Sequence, residues 1–480
     1  MKLKKAVSLA LCAVMAVAAL STGVQSRVEA ADGDLTIDVI DLKKNSVKGD
    51  AVLLQSGGEY LLIDTGDKDD SNTVVNYLKA KGVDHLSVYI SHFHSDHFGE
   101  LNDISDNFTI DTLYVPLASV TGDAVKDAES QIGSGITQEE YNSTKNSYDK
   151  FYGDVGIKVK SQKGKYCQNF VEVSAGHSFS LGSATVTTIG TPSFKFDDFE
   201  NDSTNDPGLT ETKMEHYLNN MSLCTRITVP SGGKTISYLS CGDAEVEEEN
   251  WLIGSGATIK SDIWKMNHHG VDTSNSAKFC KAVAAKHAVA DHYVLASEIT
   301  RQNKIYKKCK ISMKETATTA KKCLYGLIRT RIPMERAEKY GEVYRTEFNG
   351  DVTFSISNGA ITESSVSGFR KSGGKWYLYW NGKVVKPNSK GFITGYNDSV
   401  FKADKKGVLK KGMYKYKGKV WYCYGAHNDS VVGAGWIKYK GKKYYSPEYF
   451  PYLAQGWKKI GTKNYLFDEK TGVFIRKQKA

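Results

Sequence analysis

Proline is scarce, 8 of 480 residues, while hydrophobic residues make up 40%. Together these figures exclude a collagen-like, coiled-coil or largely disordered chain. Cysteine is sparse as well. Cys12 lies in an N-terminal apolar run without a lipobox-like context, and Cys167, Cys224, Cys241, Cys280, Cys309, Cys323 and Cys423 are scattered with no C-x-x-C pair. An odd, dispersed set is neither a disulfide framework nor a zinc ribbon. Buried or free thiols are expected, with a Cys309–Cys323 pair left open. After the N-terminus no apolar run reaches the roughly 20 residues that a bilayer-crossing helix needs, so no membrane span is expected.

The net charge of +10 hides a division. Residues 32–364 hold 35 Lys/Arg against 47 Asp/Glu, a net of −12, whereas residues 365–480 hold 25 against 6, a net of +19. The basic segment also contains five of the seven Trp and 13 of the 28 Tyr. An acidic body and a basic, aromatic-rich tail imply two parts with different tasks. Ahead of both, Lys2, Lys4 and Lys5 precede an apolar run from Ala6 to Leu20, and Val28-Glu29-Ala30 offers a cleavage site. Residues 1–31 therefore read as a signal peptide, and the protein as secreted.

Strand and helix patterns alternate from about 35 to 360. Alternating or apolar strands are expected at 36–42, 51–54, 60–63, 87–90, 182–189, 223–229 and 235–240. Helices are expected at 73–81, 244–252, 275–285 and 314–325, and a last strand pair at 343–348 and 352–357. Residues 118–165 are polar and match no clear pattern. The reading is one α/β catalytic domain over 32–360, a linker at 361–367, and a separate array over 368–480.

The sharpest chemical signal is His92-Phe93-His94-Ser95-Asp96-His97, directly after the apolar strand at 87–90. Four good metal ligands in six residues suit zinc, which binds imidazole and carboxylate readily. A turn at a strand end can aim alternating His side chains one way and the Asp-His pair another, a geometry suited to two cations.

This cluster resembles that of the metallo-β-lactamase superfamily. Asp64-Thr65-Gly66 resembles the family's upstream Asp-x-Gly turn, Cys241-Gly242-Asp243 its later Gly-Asp turn, and Lys265-Met266-Asn267-His268-His269-Gly270 its terminal His motif. The resemblance implies an αββα sandwich with two Zn2+ per chain, other divalent metals not excluded. His92 and His94 would hold the first ion. Asp96, His97 and His269 would hold the second, and Asp243 would bridge both. His269 is preferred over His268 because the family's ligand usually precedes the Gly. His268 and Asp64 would then support ligands. Asp96 and Asp243 are also the candidate catalytic groups, placed to hold the attacking water. The further His found in lactamases has no clear counterpart, since His177 and His216 read better as solvated residues. In its place Asn219-Asn220-Met221-Ser222-Leu223 resembles the ComEC-like branch.

From residue 368 the chain repeats. Gly followed by an aromatic or apolar residue recurs at Gly368, Gly391, Gly412, Gly435 and Gly456, at spacings of 23, 21, 23 and 21. A period of this length signals stacked units, here β-hairpins with an aromatic second strand. The units resemble choline-binding, cell wall-binding repeats, in which aromatic faces cage a quaternary ammonium. One cage would use Trp421, Trp436 and Tyr445, a second Tyr444, Trp457 and Tyr465. The alternative is that these aromatics are repeat core.

The combination resembles the teichoic-acid phosphorylcholine esterases of Gram-positive surfaces, as does Asn267-His268-His269 followed by Asp272-Thr273. The expectation is a secreted di-zinc phosphodiesterase, associated with the Gram-positive cell wall, that releases phosphorylcholine from teichoic acid. Its partner would be a cell-wall polymer, choline-bearing teichoic acid or glycan. The alternatives are a ComEC-like secreted nuclease, for which nucleic acid would be the partner, or another wall-tethered metallo-hydrolase, and a non-catalytic wall-binding protein.

Overall fold

Alternation along Leu35-Thr36-Ile37-Asp38-Val39 places Leu35, Ile37 and Val39 on one face of the first strand, and that face fixes the layer order of the catalytic part. The computed structural model describes residues 34–479 apart from 43–48, 69–71, 292–332, 425–434, 447–451, most of 118–166 and 191–212, and 272, 335, 366, 381–382 and 397–398. The expected signal peptide, the helix at 314–325, the Cys309–Cys323 pair and Asp272 lie outside the described residues.

Two sheets face each other. In chain order their strands are β1 Leu35–Val39, β2 Val52–Ser56, β3 Glu59–Ile63, β4 His85–Tyr89, β5 Thr109–Pro116, β6 Cys167–Val173, β7 Ser178–Leu181 and β8 Ala184–Gly190. They continue with β9 Cys224–Ser231, β10 Lys234–Ser240, β11 Ile263–Lys265, β12 His287–Ala290, β13 Glu342–Arg345, β14 Val352–Ser357 and β15 Ala360–Ser364. The first sheet runs β15-β14-β1-β2-β3-β4-β5-β6, the second β13-β12-β11-β10-β9-β8-β7. Between them Ile37, Leu54, Ile63 and Phe354 of one sheet pack with Val186, Ile227, Tyr238 and Ile263 of the other.

Helices cover both outer faces. On the first sheet, α1 (Thr73–Ala80) buries Val74, Val75 and Leu78 beside Leu62 and Val88. A short turn of helix, α2 (Ser95–Phe98), follows β4, and α3 (Leu101–Asn107) buries Leu101 and Ile104 in the same layer. Next in the chain is α4 (Lys213–Asn219). On the second sheet, α5 (Val246–Ser255) and α6 (Ala277–Val283) set Leu252 and Phe279 over Leu239 and Trp264. This is the expected αββα sandwich. Parallel pairing of β3 with β4 and of β10 with β11 brings four strand ends to one rim, where the motif residues begin.

Two segments differ from the sequence reading. The strand expected at 343–348 stops at Arg345, because Asn349 Oδ1 accepts from the Arg345 amide at 3.0 Å and closes a helical turn, α7 (Thr346–Asn349). The linker expected at 361–367 is largely strand, since β15 pairs antiparallel with β14 as an edge of the first sheet. Asn358-Gly359, with φ of 49° and 72°, supplies the left-handed pair of a tight hairpin turn. Strands β5, β6, β7, β11 and β12, by contrast, lie outside the segments that the sequence marks as strand.

After residue 367 each expected unit start begins a hairpin strand. The strands are β16 Gly368–Ser372, β17 Lys375–Trp380, β18 Lys383–Val384, β19 Phe392–Tyr396, β20 Ser399–Lys402 and β21 Lys411–Tyr416. The array ends with β22 Lys419–Tyr424, β23 Gly435–Tyr439, β24 Lys442–Ser446, β25 Gly456–Ile460, β26 Lys463–Phe467 and β27 Phe474–Lys479. Three loops share one device, in which Asn388, Asp404 or Asp468 accepts backbone amides two to four residues on. The apolar clusters here are small and local, such as Leu378 with Ile393, Phe401 and Leu409, as expected of stacked repeats.

Phe354 is buried between the sheets, with its ring against His287 and Tyr344. Phe354→Ala is expected to cost about 3–5 kcal/mol, read as a fall in the denaturant midpoint of the catalytic part at unchanged slope.

Candidate metal centre

Each motif leaves the end of a strand, and backbone hydrogen bonds stitch the loops together. The Asp64 amide donates to Tyr89 O at 2.9 Å, Thr65 N to His97 O at 2.7 Å, Leu223 N to Ser91 O at 2.9 Å, and His268 N to Gly242 O at 3.1 Å. Gly99 has to be glycine. A Cβ there would stand 2.2 Å from the Lys68 amide nitrogen and 2.7 Å from the Asp67 carbonyl carbon. Asp64, His268 and His269 all adopt left-handed backbone, with φ of 58°, 47° and 53°, a conformation that persists only where the surroundings enforce it.

The side chains converge on Asp243. Its Oδ2 lies 3.2 Å from His97 Nε2, 3.2 Å from His269 Nε2, 3.6 Å from His268 Nε2 and 3.9 Å from His92 Nε2. Two sets of side chains are close enough to hold a metal ion: His92, His94 and Asp243, and Asp50, His97, Asp243 and His269. Within the first set His92 Nε2 and His94 Nδ1 stand 3.0 Å apart.

His97 Nε2, His269 Nε2 and Asp243 Oδ1 are buried without a hydrogen-bond partner. Orphaned buried polar atoms are costly and rare, and a divalent cation among them would satisfy all three. The residues therefore fit the group that the motif implies.

Supporting contacts fix which nitrogens are free. Asp64 Oδ2 accepts from His97 Nδ1 at 2.8 Å, and the same carboxylate takes the Ser91 amide and hydroxyl at 2.7 Å each. A carboxylate can only accept here, so the proton sits on Nδ1 and Nε2 faces the cluster. Asp50 Oδ1 does the same for His269 Nδ1 at 3.0 Å. His268 Nδ1 lies 2.9 Å from Thr273 Oγ1 and 3.4 Å from Glu245 Oε1. Glu245 gathers His216 Nδ1 at 2.6 Å, Asn219 Nδ2 at 2.9 Å and Asn220 Nδ2 at 3.1 Å. Burial opposes its ionisation, yet the His216 and His268 contacts prevail and hold it at about 2.

Some expected residues fall elsewhere. Asp96 lies 3.6 Å from His269 Nε2 and outside both sets, whereas Asp50, which the sequence does not single out, is inside one of them. His268 is likewise outside both sets, whereas His269 is inside. His216, read as a solvated residue, is tied to Glu245. The signal for Asp50 was a Gly-Asp pair at the start of a strand, the same dipeptide as Gly242-Asp243.

A family model for the metallo-beta-lactamase superfamily matches residues 47–289, half of the chain. The chain belongs to the metallo-beta-lactamase superfamily. No curated protein sequence matches it. Among solved structures it is similar to the metallo-beta-lactamase fold protein YhfI from Bacillus subtilis, at 12% identity and a TM-score of 0.33, covering 69% of this chain and 100% of that one. A diphosphatase of the PhnP family shows 13% identity and a TM-score of 0.30, covering 56% of this chain and 91% of that one. Choline binding protein F from Streptococcus pneumoniae shows 23% identity and a TM-score of 0.18, covering 28% of this chain and 45% of that one. Among the described residues no helix is long and apolar enough to cross a membrane.

Among the described residues, the aromatics expected to form two cages take other neighbours as well. Tyr444 and Tyr445 are neighbours on one strand and so point to opposite faces. Tyr444 packs with Val420, Tyr422 and Leu453. Trp421 packs with Phe392 and Val400, and its Nε1 donates to Tyr416 O at 3.3 Å. Trp457 is exposed, with the Arg476 guanidinium 5.8 Å from its ring centroid. What does assemble is Trp436, 43% exposed, ringed by Tyr445, Tyr465, Phe467 and Phe474 at centroid distances of 5.5, 5.2, 5.8 and 5.4 Å.

Burial alone would keep His97 neutral, but Asp243 and Asp64 outweigh it and push its pKa well above the ordinary value. His269 is raised in the same way, against burial, by Asp243 and Asp96. Cation binding is therefore expected to release protons near neutral pH, and apparent metal affinity is expected to rise as pH rises from 6 to 8. Calorimetric titrations in two buffers of different ionisation enthalpy measure that release, and equal heats in both would contradict it.

Proposed function

We propose that the protein is a secreted di-zinc phosphodiesterase that removes phosphorylcholine from cell-wall teichoic acid. One observation carries the reading: Asp243 belongs to both sets of ligand side chains. A shared carboxylate suits two neighbouring cations, and a two-cation site suits phosphoryl transfer, where charge is spread over several oxygens. His92, His94 and Asp243 would hold one cation, and His97, His269 and Asp243 the other, with Asp96 at its open side. When bound, such cations supply Lewis acidity and lower the pKa of water.

The chain's own residues do the positioning. Asp64 and Asp50 hold the ring orientations of His97 and His269. His268 stands beside the ligands, between Glu245 and Asp243. In the repeats, the Trp436 cluster offers aromatic faces to a quaternary ammonium. Holding the enzyme on a choline-bearing polymer would raise the local concentration of its substrate.

The test is release of phosphocholine from choline-decorated teichoic acid by the zinc-loaded protein, with DNA as the competing substrate. Release that is abolished by a chelator and restored by zinc is expected. Turnover of DNA alone would make the protein a wall-tethered nuclease, and turnover of neither would overturn the reading. His269→Ala is expected to lose bound metal, whereas His268→Ala is expected to retain it and lose turnover, as metal analysis and kcat together would report. Trp436→Ala is expected to weaken choline binding by about twofold to thirtyfold, the equivalent of one cation–π contact, measured by elution from a choline resin.

A further inference from the structure

Lys265 ends β11 and is only 1% exposed. A lysine so deeply buried is rare unless its charge is paired. Its Nζ meets the Oδ2 of Asp50, a residue in the loop before β2 and far away in sequence. The other carboxylate acting on it is Asp291, which follows the neighbouring strand β12. Both Asp291 oxygens already have partners, Oδ2 the Ala51 amide at 3.4 Å and Oδ1 the Thr346 hydroxyl at 3.2 Å. Asp50 is the carboxylate in direct contact with Nζ.

Asp50 has two competing uses. Its Oδ1 accepts from His269 Nδ1 at 3.0 Å, which leaves His269 Nε2 directed at Asp243. The same carboxylate is also close enough to His97, Asp243 and His269 to ligate a cation itself. Backbone contacts fix where its Cα sits, since the Asp50 amide donates to Asp96 O at 3.3 Å and Gly66 N donates to Asp50 O at 2.8 Å. They do not fix the rotation of the carboxylate. The ammonium on Oδ2 does.

We infer that Lys265 is a positioning residue of the metal centre: by pairing with Asp50 Oδ2 it keeps that carboxylate on His269 Nδ1 as an orienting acceptor rather than a ligand. The inference rests on the metal-centre reading above. Contacts that fix a ligand imidazole in this way are typically worth about 10–100-fold in metal affinity.

The experiment uses the full chain loaded with Co2+, whose visible absorption reports the ligand field, together with Zn2+ affinity from chelator competition. Lys265→Met, which keeps the length and apolar stem, is expected to weaken one of two metal equivalents by about 10–100-fold and to alter the Co2+ spectrum. Asp50→Asn is expected to weaken the same equivalent. The double variant is expected to be no weaker than Asp50→Asn alone, because the lysine acts only through that carboxylate. Lys265→Arg is expected to restore most of the affinity. Circular dichroism of each variant without metal separates loss of fold from loss of positioning, and if Lys265→Met is unfolded the Lys265→Arg and Asp50→Asn spectra carry the test. Unchanged affinity and spectrum in a folded Lys265→Met, or additive losses in the double variant, would overturn the inference. A wild-type chain that binds no metal would instead overturn the metal-centre reading on which it rests.

Discussion

Four imidazoles surround one buried carboxylate, and the rest of the catalytic part is arranged to make that tolerable. Asp243 is buried, and His97 and His269 each present it with an unpartnered nitrogen. Such a cluster is unfavourable unless cations or protons complete it. The loops that build it are accordingly tied to each other through backbone amides, not merely packed. Strained left-handed residues sit at Asp64, His268 and His269, at the centre rather than the periphery. The sandwich supplies the rigidity that this requires, with an apolar layer between the sheets and one helical layer outside each.

Much of this was legible in the sequence because the metal-binding signal is local. His92 to His97 is dense enough to stand out from any background, and Gly242-Asp243 and His268-His269-Gly270 each follow a strand. Asp50 carries only the short Gly49-Asp50 signal, because its meaning depends on His269, 219 positions away. The helices and strands with clear periodicity were found within a few residues. The edge strand β15 reads as linker in the sequence although its turn, Asn358-Gly359, is a strong hairpin signal. Exposed polar residues along Ala360–Ser364 masked it, since only one side of an edge strand needs to be apolar.

The repeats teach a complementary lesson. Their period was visible, and so were the aromatics, but not which face each ring would take. A strand sends neighbours to opposite sides, so Tyr444 serves the interior while Tyr445 joins the exposed group around Trp436. Phe467 and Phe474, which complete that group, belong to the terminal three-stranded unit.

The join between catalytic sheet and repeats has a mechanical meaning. Only residues 365–367 separate the end of β15 from the start of β16, and the Asn349 side chain spans this passage, donating to Ser365 Oγ at 3.3 Å and to Ser367 O at 3.0 Å. There is no slack here for the hydrolase to swing on a leash. On the proposed function, an enzyme held this way would sample a short arc around each anchoring point and reach fresh substrate only by letting go of the old one. Its working range would then be set by the spacing of its grip on that polymer and the lifetime of each hold.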